Sequence, residues 1–388
     1  MNELKRFGFG CMRFPVNSDD SVNYEETEKM IDYAIKNGVN YFDTAYVYHA
    51  GKSEIVLGDI LKKYPRNSFL LADKYPGHQI CDIYTPEETF KEQLERCQVD
   101  YFDYYLLHNI NENSVKVYMD EKWGILDYFK EQKRLGKIKC LGFSCHCSVE
   151  LLKEFLDYCG DSMEFCQIQL NYLDWTLQDG KAKYELLTER NIPIYIMEPL
   201  RGGKLATLSE SQKTKLSVLR KNAKPVEWAF SFLLDLPNIK MILSGMSEFS
   251  QVKENIEIFK NYNPLNDNEV NTLLEIAEEM KDSVPCTGCG YCLKDCPQGL
   301  NIPFMLSIYN ELKIQKAISV RMRLDGLPEE KQSTACIGCG LCEANCPQKI
   351  SVPKELENLS ELLKTMPTWA EICEERQRKM NEELRIRN

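Results

Sequence analysis

Eight cysteines in the last third of the sequence are spaced for metal binding, in two copies of the pattern C-x2-C-x2-C-x3-C-P. The copies are offset by 50 residues, as between Cys286 and Cys336. In iron-sulfur proteins with this spacing, three cysteines of one copy bind one cluster, and the fourth, before proline, binds the other cluster. The sequence therefore predicts two [4Fe–4S] clusters, the first on Cys286, Cys289, Cys292 and Cys346 and the second on Cys336, Cys339, Cys342 and Cys296.

Two other uses of grouped cysteines fit this pattern less well. Disulfides stabilise small secreted domains, whereas this chain opens Met-Asn-Glu-Leu-Lys without an apolar signal segment. Zinc sites are usually built from separate C-x2-C pairs and not from a four-cysteine run closed by Cys-Pro. The two copies also stay similar beyond their ligands, in residues 297–303 and 347–353, which favours a duplicated cluster-binding unit.

A second group of reactive side chains lies in the first 110 residues: Asp43, Tyr48, Lys74 and His108. Together they can protonate a carbonyl oxygen. Tyrosine, with an ordinary pKa of about 10, is a weak acid at neutral pH. We expect Lys74 beside its oxygen to lower that pKa, while Asp43 holds the lysine charged and in place. A lone tyrosine or histidine is usually an ordinary structural residue, but the whole group indicates an active site.

The elements that position these side chains can be predicted from residues 1–282, where short apolar runs alternate with amphipathic stretches. The runs predict eight strands: Arg6–Gly10, Tyr41–Thr44, Phe69–Lys74, Tyr101–His108, Ile138–Phe143, Phe165–Gln169, Pro193–Met197 and Lys240–Ser244. The stretches between them predict crossover helices: Tyr24–Asn37, Ser53–Tyr64, Pro86–Gln98, Trp123–Leu135, Val149–Tyr158, Lys181–Arg190 and Gln251–Asn261.

This rhythm is typical of an α/β fold of the (β/α)8 TIM-barrel type, in which functional residues lie at the C-terminal ends of the strands. A doubly wound open sheet is the alternative, but no G-x-G-x-x-G follows the first strand. We place the domain boundary after residue 282. Residues 283–388 are expected to form a small, mainly α-helical dicluster ferredoxin-like domain with helices at Pro303–Ile318 and Leu356–Asn388.

Composition limits the function classes. The chain has 388 residues, 43% of them hydrophobic, and a net charge of −11, so nucleic acid is an unfavourable partner. No run approaches the ~20 apolar residues of a membrane span. Nine cysteines outside the two motifs, beside oxygen-sensitive clusters, indicate a reducing compartment, and we expect a cytoplasmic protein of an anaerobe: Cys11, Cys81, Cys97, Cys140, Cys145, Cys147, Cys159, Cys166 and Cys373.

Two resemblances extend this reading. About residues 283–355 resemble the α-helical dicluster ferredoxin modules of succinate dehydrogenase-type and heterodisulfide reductase-type iron-sulfur subunits. About residues 4–262 resemble the aldo/keto reductases, through the spacing of Asp43 and Tyr48, Gly51-Lys-Ser-Glu54, Lys74, Asp103-Tyr-Tyr-Leu-Leu-His108 and Glu198-Pro-Leu200. The second resemblance implies that Tyr48 is the general acid, that Lys74 and Asp43 tune it, and that His108 orients the carbonyl oxygen.

The same resemblance implies a nicotinamide cofactor, NADP or NAD, across the barrel mouth. Ser144 and Gln167 match the residues that hold the carboxamide, and Met197 stands where an aromatic residue often stacks on the ring. The other implied contacts surround the pyrophosphate and adenine: Leu200, Arg201, Gly202, Lys204, Ser244, Gly245, Gln251, Glu254 and Asn255. Gln251 stands where an arginine often reads the 2′-phosphate, so the choice between NADP and NAD stays open.

The predicted function is NAD(P)H-dependent reduction of a small aldehyde or ketone, coupled or attached to an electron-transfer domain. One alternative is an electron-transfer subunit whose barrel is a docking scaffold. Another is a reductase that draws electrons from ferredoxin through the clusters. That conversion of single electrons to hydride normally requires a flavin, and no flavin motif is visible, so a redox protein or second subunit is a further expected partner.

Arg13, just beyond the first predicted strand, has two possible uses. Its guanidinium group suits a carboxylate or phosphate of the substrate. It suits equally a carboxylate on a neighbouring loop. The sequence favours neither.

Overall fold

The computed structural model describes residues 4, 6–77, 85–111, 114–177, 179–280, 283–314, 316, 318–368 and 371. The chain divides into two compact units, Met1–Glu278 and Glu279–Asn388. The sequence places this division after residue 282. Within the described residues, no helix is both long and apolar enough to cross a membrane.

The first unit contains a closed barrel of eight parallel strands that follow one another in sequence order, which confirms the predicted TIM-barrel fold. Each strand lies within two residues of its predicted bounds: β1 Phe7–Gly10, β2 Tyr41–Asp43, β3 Leu70–Tyr75, β4 Phe102–Ile110, β5 Ile138–Cys145, β6 Cys166–Gln169, β7 Ile194–Met197 and β8 Ile239–Gly245.

Helices surround the strands: α1 Tyr24–Lys36, α2 Lys52–Leu61, α3 Pro86–Cys97, α4 Val115–Met119, α5 Ile125–Arg134, α6 Val149–Cys159, α7 Asp174–Leu177, α8 Gly180–Glu189, α9 Glu210–Leu219, α10 Pro225–Leu234, α11 Phe249–Lys260 and α12 Asp267–Met280. Side-chain caps fix several starts, as where Asn23 accepts from the Glu26 amide and Ser148 from the Leu151 amide. The crossover helix α10 escaped prediction because it is apolar on nearly every side and shows no amphipathic period.

The barrel interior contains a layer of six packed side chains, five on strands and one, Phe165, directly before β6: Tyr41, Ala72, Leu106, Phe165, Tyr195 and Leu243. Inward-facing positions recur every second residue along a strand. The next layer toward the C-terminal ends of the strands therefore consists of the residues that follow these six by two positions. That layer is the floor of the barrel mouth.

The second unit is mainly helical, as the sequence predicts, with α13 Ile302–Ile314, α14 Ile318–Asp325, α15 Leu341–Ala344 and α16 Val352–Lys364. Its apolar core includes Met305, Leu306, Leu356 and Leu359, and cysteines of both motifs pack against this core. The predicted helix from Pro303 is divided near residue 316. Much of the predicted last helix, residues 369–370 and 372–388, lies outside the described residues.

Candidate active site and candidate cluster sites

The floor of the barrel mouth brings together the reactive residues that the sequence singles out. Asp43, Lys74 and His108 each lie two residues beyond a member of the interior layer, on β2, β3 and β4. Gln167, on β6, joins this group through its contact with Asp43, and Met197 is the last residue of β7. Strand periodicity therefore places a charged and polar layer directly above an apolar one.

Lys74 is the centre of this layer. Its Nζ donates to Asp43 Oδ1 at 2.5 Å and to the Thr44 carbonyl at 2.7 Å, and it lies 3.4 Å from Tyr48 Oη. Lys74 and Asp43 are both buried, so the ion pair is held in a site with little water. Gln167 Nε2 approaches the second Asp43 oxygen at 3.3 Å. Asp43 thus fixes the ammonium group beside the phenol.

Tyr48 reaches the site from a left-handed turn after β2. His49, Ala50 and Gly51 have φ values of 50°, 53° and 83°, and such a conformation costs a non-glycine residue on the order of 1 to 3 kcal/mol. The His49 ring compensates by stacking on Phe14, with its Nε2 accepting from the Phe14 amide at 3.2 Å. His49 is a positioning residue that the sequence analysis missed, although it directly follows Tyr48.

The electrostatics of Tyr48 differ from the sequence expectation. Burial, followed by the nearby Asp43 carboxylate, raises the pKa of Tyr48 well above its ordinary value. The expectation that Lys74 lowers the pKa of Tyr48 is not met, because the Lys74 ammonium lies closer to the Asp43 carboxylate, which neutralises its charge. Tyr48 is therefore a protonated hydrogen-bond donor at neutral pH.

His108 faces the Tyr48 ring edge-on, with ring centroids 6.0 Å apart at an interplanar angle of 82°. It is buried near the end of β4, and its carbonyl accepts from the Tyr118 hydroxyl at 2.6 Å. The imidazole and the phenol therefore border one point above the barrel floor. A carbonyl oxygen at that point can receive hydrogen bonds from both.

Gln167 provides a test of whether a nicotinamide carboxamide fits this site. Its Oε1 is buried and has no hydrogen-bond partner among the residues that the structure describes, which is costly unless a ligand supplies a donor. Ser144 lies on the neighbouring strand, where its Oγ accepts from the Asn109 amide at 2.8 Å and keeps its own proton to donate. An acceptor and a donor at one level suit the amide group of a carboxamide, so these residues fit the cofactor.

We expect Gln167→Leu to weaken NAD(P)H binding about fivefold, since a hydrogen bond to a buried polar group contributes about 1 kcal/mol. The change removes the unpartnered acceptor at similar volume. Fluorescence titration of NADH and NADPH checks the dissociation constant, and thermal denaturation checks that the variant is folded. Unchanged affinity in a folded variant would place the carboxamide elsewhere.

The loop after β7 is held from below by a buried ion pair. The family resemblance places Arg201 among the pyrophosphate and adenine contacts, whereas in the structure its guanidinium is fully buried and bound to Asp174. Gln169 and Asn171 donate to the same carboxylate at 2.8 and 2.6 Å. Arg201 is thus available to a cofactor through its backbone and not through its charged head.

Removing Asp174 should destabilise the barrel strongly. Asp174→Ala leaves the Arg201 charge buried and unpaired, which typically costs 3–5 kcal/mol, so we expect a loss of about that size in the free energy of unfolding. Asp157→Ala is the matched control, because its pair with Arg190 is half exposed and such pairs contribute about 0–1 kcal/mol. Equal denaturation midpoints for the two variants would contradict this assignment.

Arg13 spans the mouth from the β1 loop to the β7 loop. Its guanidinium lies 3.5 Å from Glu198 Oε1, while Glu198 Oε2 accepts from the Gly202 amide at 2.6 Å. Of the two uses that the sequence leaves open, the structure shows the pairing with a carboxylate on a neighbouring loop. The Arg13 side chain packs across Gly245, where a Cβ atom would meet it at 3.2 Å. Because Gly245 has no side chain, it leaves room for the Arg13 side chain.

The residues assigned to the adenine end are mainly engaged with the protein. Asn255 Nδ2 donates to Ser244 Oγ at 3.2 Å, and Glu254 pairs with Lys224. Gln251 caps α11, its Oε1 accepting from the Ser247 amide at 2.8 Å. Leu200 and Lys204 are half-buried in the loop after β7. None of these positions presents a free arginine to a 2′-phosphate.

The cluster cysteines line two separate cavities. One is lined by Cys286, Cys289, Cys292 and Cys346. The other is lined by Cys296, Cys336, Cys339 and Cys342. Each cavity thus takes three cysteines from one motif and the fourth from the other motif. This is the grouping that the crossed ligand pattern predicts.

The shape and chemistry of these cavities suit a polynuclear cluster. Within the described residues, no three His, Cys, Asp or Glu side chains converge closely enough to hold a single metal ion. Burial, and then the neighbouring thiolates, raise the pKa of Cys292 to about 12, so a cationic centre is needed to ionise the thiols together. Backbone amides approach two sulfurs, Gly288 N to Cys286 Sγ at 3.4 Å and Leu300 N to Cys296 Sγ at 3.5 Å.

Comparison with known proteins gives two matches along the chain. Residues 6–278 match the model of the aldo/keto reductase family, and residues 285–350 match that of the 4Fe-4S dicluster domain. The chain is 26% identical over 289 residues to the uncharacterized oxidoreductase YqkF of Bacillus subtilis, covering 66% of this chain and 87% of that protein. It is 25% identical over 287 residues to the NADH-specific methylglyoxal reductase of Escherichia coli, covering 63% and 85%.

Among solved structures, the chain is similar to an aldo/keto reductase from Klebsiella pneumoniae in complex with NADP and acetate. The TM-score is 0.56 and the identity 18%, over 70% of this chain and 91% of that chain. This likeness shows the shared barrel fold.

Proposed function

The chain belongs to the aldo/keto reductase family and carries a C-terminal 4Fe-4S dicluster domain, and from this we propose that it reduces a small aldehyde or ketone with NADPH or NADH. The observation that carries the proposal is the contact of Lys74 with both Asp43 and Tyr48, with His108 beside the phenol. A reduced nicotinamide, held by Ser144 and Gln167, would supply hydride to the carbonyl carbon.

The protein's own part in this reaction is the transfer of a proton. As negative charge develops on the carbonyl oxygen, Tyr48 Oη donates its proton to that oxygen. The Lys74 ammonium, 3.4 Å from the phenol, stabilises the phenolate that is left, and Asp43 keeps the ammonium in place. His108 orients the carbonyl oxygen toward Tyr48. A phenol of high pKa suffices because an alkoxide is a much stronger base than a phenolate.

The raised pKa of Tyr48 predicts a pH profile. The acid form of Tyr48 is the active one, and it is lost only as the pH rises through a pKa above the ordinary value of about 10. We therefore expect kcat/KM for carbonyl reduction to stay level from neutral pH to about pH 9. A tenfold fall per pH unit within that interval would show that Lys74 lowers the pKa after all.

We propose further that the two cysteine cavities hold [4Fe–4S] clusters and that these exchange single electrons with another redox protein. Two adjacent clusters form a relay, whereas one metal site would suffice to stabilise a small domain. The crossed grouping of cysteines supports two clusters that share both motifs. We extend this to a cytoplasmic protein, since solvent-accessible clusters persist best in a reducing compartment.

The proposal is tested with anaerobically purified protein. Iron and sulfide analysis should give about eight of each per chain. Oxidation of NADPH and of NADH should then be followed with a panel of small aldehydes, ketones and keto acids. Carbonyl-dependent oxidation of either nucleotide supports the proposed reaction. Tight nucleotide binding without turnover of any carbonyl would favour the barrel as a docking scaffold.

A further inference from the structure

The two cysteine loops share a pattern but differ in what they present to solvent. Residues 50 positions apart are equivalent in the two copies. After the first cysteine of each copy, Thr287 is 4% exposed, whereas its counterpart Ile337 is 62% exposed. A buried polar residue thus corresponds to an exposed apolar one, which is the reverse of the usual distribution.

The difference extends along the second loop. Cys339 is the exposed member of its ligand set, while its counterpart Cys289 is half-buried. Leu341, two residues further on, is 48% exposed. Ile337, Cys339 and Leu341 alternate with two glycines that add no side chain. We call these three exposed residues the second-loop edge.

Acidic side chains flank the second-loop edge in the sequence. Glu329 and Glu330 precede it in the chain, Glu343 follows it, and all three are exposed. Lys331 lies among them, but its Nζ donates to the carbonyls of Gln298 and Gly299 at 2.7 and 3.4 Å. We call these three glutamates the rim of the edge. An apolar edge flanked by exposed negative charges is complementary to a partner surface that carries basic side chains.

We propose that the second-loop edge docks a small one-electron carrier protein that is apolar at the centre of its contact surface and basic at its rim. The proposal rests on the proposed function, because it requires a cluster in the second site. Electron transfer demands close approach, and Cys339 is the exposed ligand there. One electron leaves one protein and enters the other at each encounter, and no bond forms or breaks. Redox encounters use small interfaces, below about 1,200 Å², which suits two apolar side chains inside a charged rim.

The test uses the anaerobically purified full-length protein and cytochrome c, whose exposed haem edge is surrounded by lysines. Binding of oxidised cytochrome c is measured by calorimetry at low and at high salt. Cytochrome c reduction by the dithionite-reduced protein is measured separately by stopped flow. The double variant Ile337→Lys with Leu341→Lys should weaken binding and slow reduction about tenfold or more, because apolar contact is lost and like charges now meet.

The matched control is Val218→Lys with Leu135→Lys, which makes the same charge change at two exposed apolar residues of the barrel, 81% and 55% exposed. It should leave both measurements unchanged. Equal effects of the two double variants, or no effect of the first, would overturn the proposal. Absence of iron from the unmodified protein would instead overturn the proposed clusters, while the binding measurement would still test the docking surface.

A second variant covers the case in which the lysine substitutions disturb the cysteine loop and iron is lost. Glu329→Gln with Glu330→Gln lies outside both cysteine motifs and removes two negative charges from the rim. Binding of cytochrome c should weaken several-fold at low salt and depend less on salt, because fewer charges are paired across the interface. Unchanged binding with unchanged salt dependence would overturn the docking surface.

Discussion

Replacing Tyr48 with phenylalanine should reduce carbonyl turnover by about 10² to 10⁴-fold, the loss typical of a missing general acid. The substitution removes one oxygen atom and retains the ring that faces His108. Binding of NAD(P)H should change little, since its proposed contacts are Ser144 and Gln167. The measurements are kcat with a reactive aldehyde and the dissociation constant of the nucleotide.

The expected loss appears in kcat because the proton is needed only as the alkoxide forms. Lys74 cannot replace Tyr48, since its Nζ is held by Asp43 and the Thr44 carbonyl. Water is a poor substitute in a site lined by buried side chains. A variant that retains full turnover would therefore eliminate Tyr48 as the proton donor, whatever its effect on nucleotide binding.

Tyr46→Phe is a matched control, because Tyr46 lies two residues earlier in the same segment. Its hydroxyl donates to Glu92 Oε2 at 2.8 Å, and its ring lies against Arg96, so its role is in packing outside the catalytic layer. We expect a change in kcat of less than about threefold, since a partly exposed hydrogen bond contributes about 1 kcal/mol to stability and nothing to the chemistry.

The barrel could be predicted closely because each strand is a short apolar run with clear ends. Within a strand, the position of one inward-facing residue also sets the position of the next inward-facing residue, two places further on. Asp43, Lys74 and His108 follow Tyr41, Ala72 and Leu106 by two residues in each case. Sequence periodicity therefore predicts that these three side chains share a level. Helix α10 shows the limit of this reasoning, because a helix that is buried on nearly all sides carries no periodic signal.

Long-range pairing could not be predicted in the same way. Arg201 looks available to phosphate in sequence because it stands beside two glycines, but Asp174, 27 residues away, binds its guanidinium in the core. The pKa of Tyr48 also depends on burial and on the short distance between Lys74 and the carboxylate that neutralises it. These outcomes depend on three-dimensional distances that no local pattern contains. The cysteine grouping was predictable because the motif itself specifies the crossing.

The second large effect concerns that crossing. Cys296→Ala should abolish the cluster of the second cavity, because Cys296 lines it together with Cys336, Cys339 and Cys342. The other cavity keeps all four of its cysteines. We therefore expect iron to fall from about eight to about four per chain. Cys140→Ser serves as control, since Cys140 lies on β5 in the barrel unit and should leave the iron content unchanged.

Double variants establish which cluster is lost. Two substitutions in the same cluster should remove no more iron than one of them, whereas substitutions in different clusters should have additive effects on the iron content. If Cys296 belongs with Cys336, then Cys296→Ala combined with Cys336→Ala should still leave about four iron per chain. Cys296→Ala combined with Cys286→Ala should leave almost none, because each change removes a ligand from a different cavity. If instead each motif held its own cluster, the two results would be exchanged. Iron analysis and electron paramagnetic resonance of the reduced variants therefore decide between crossed and uncrossed ligation without any assumption about what the clusters do.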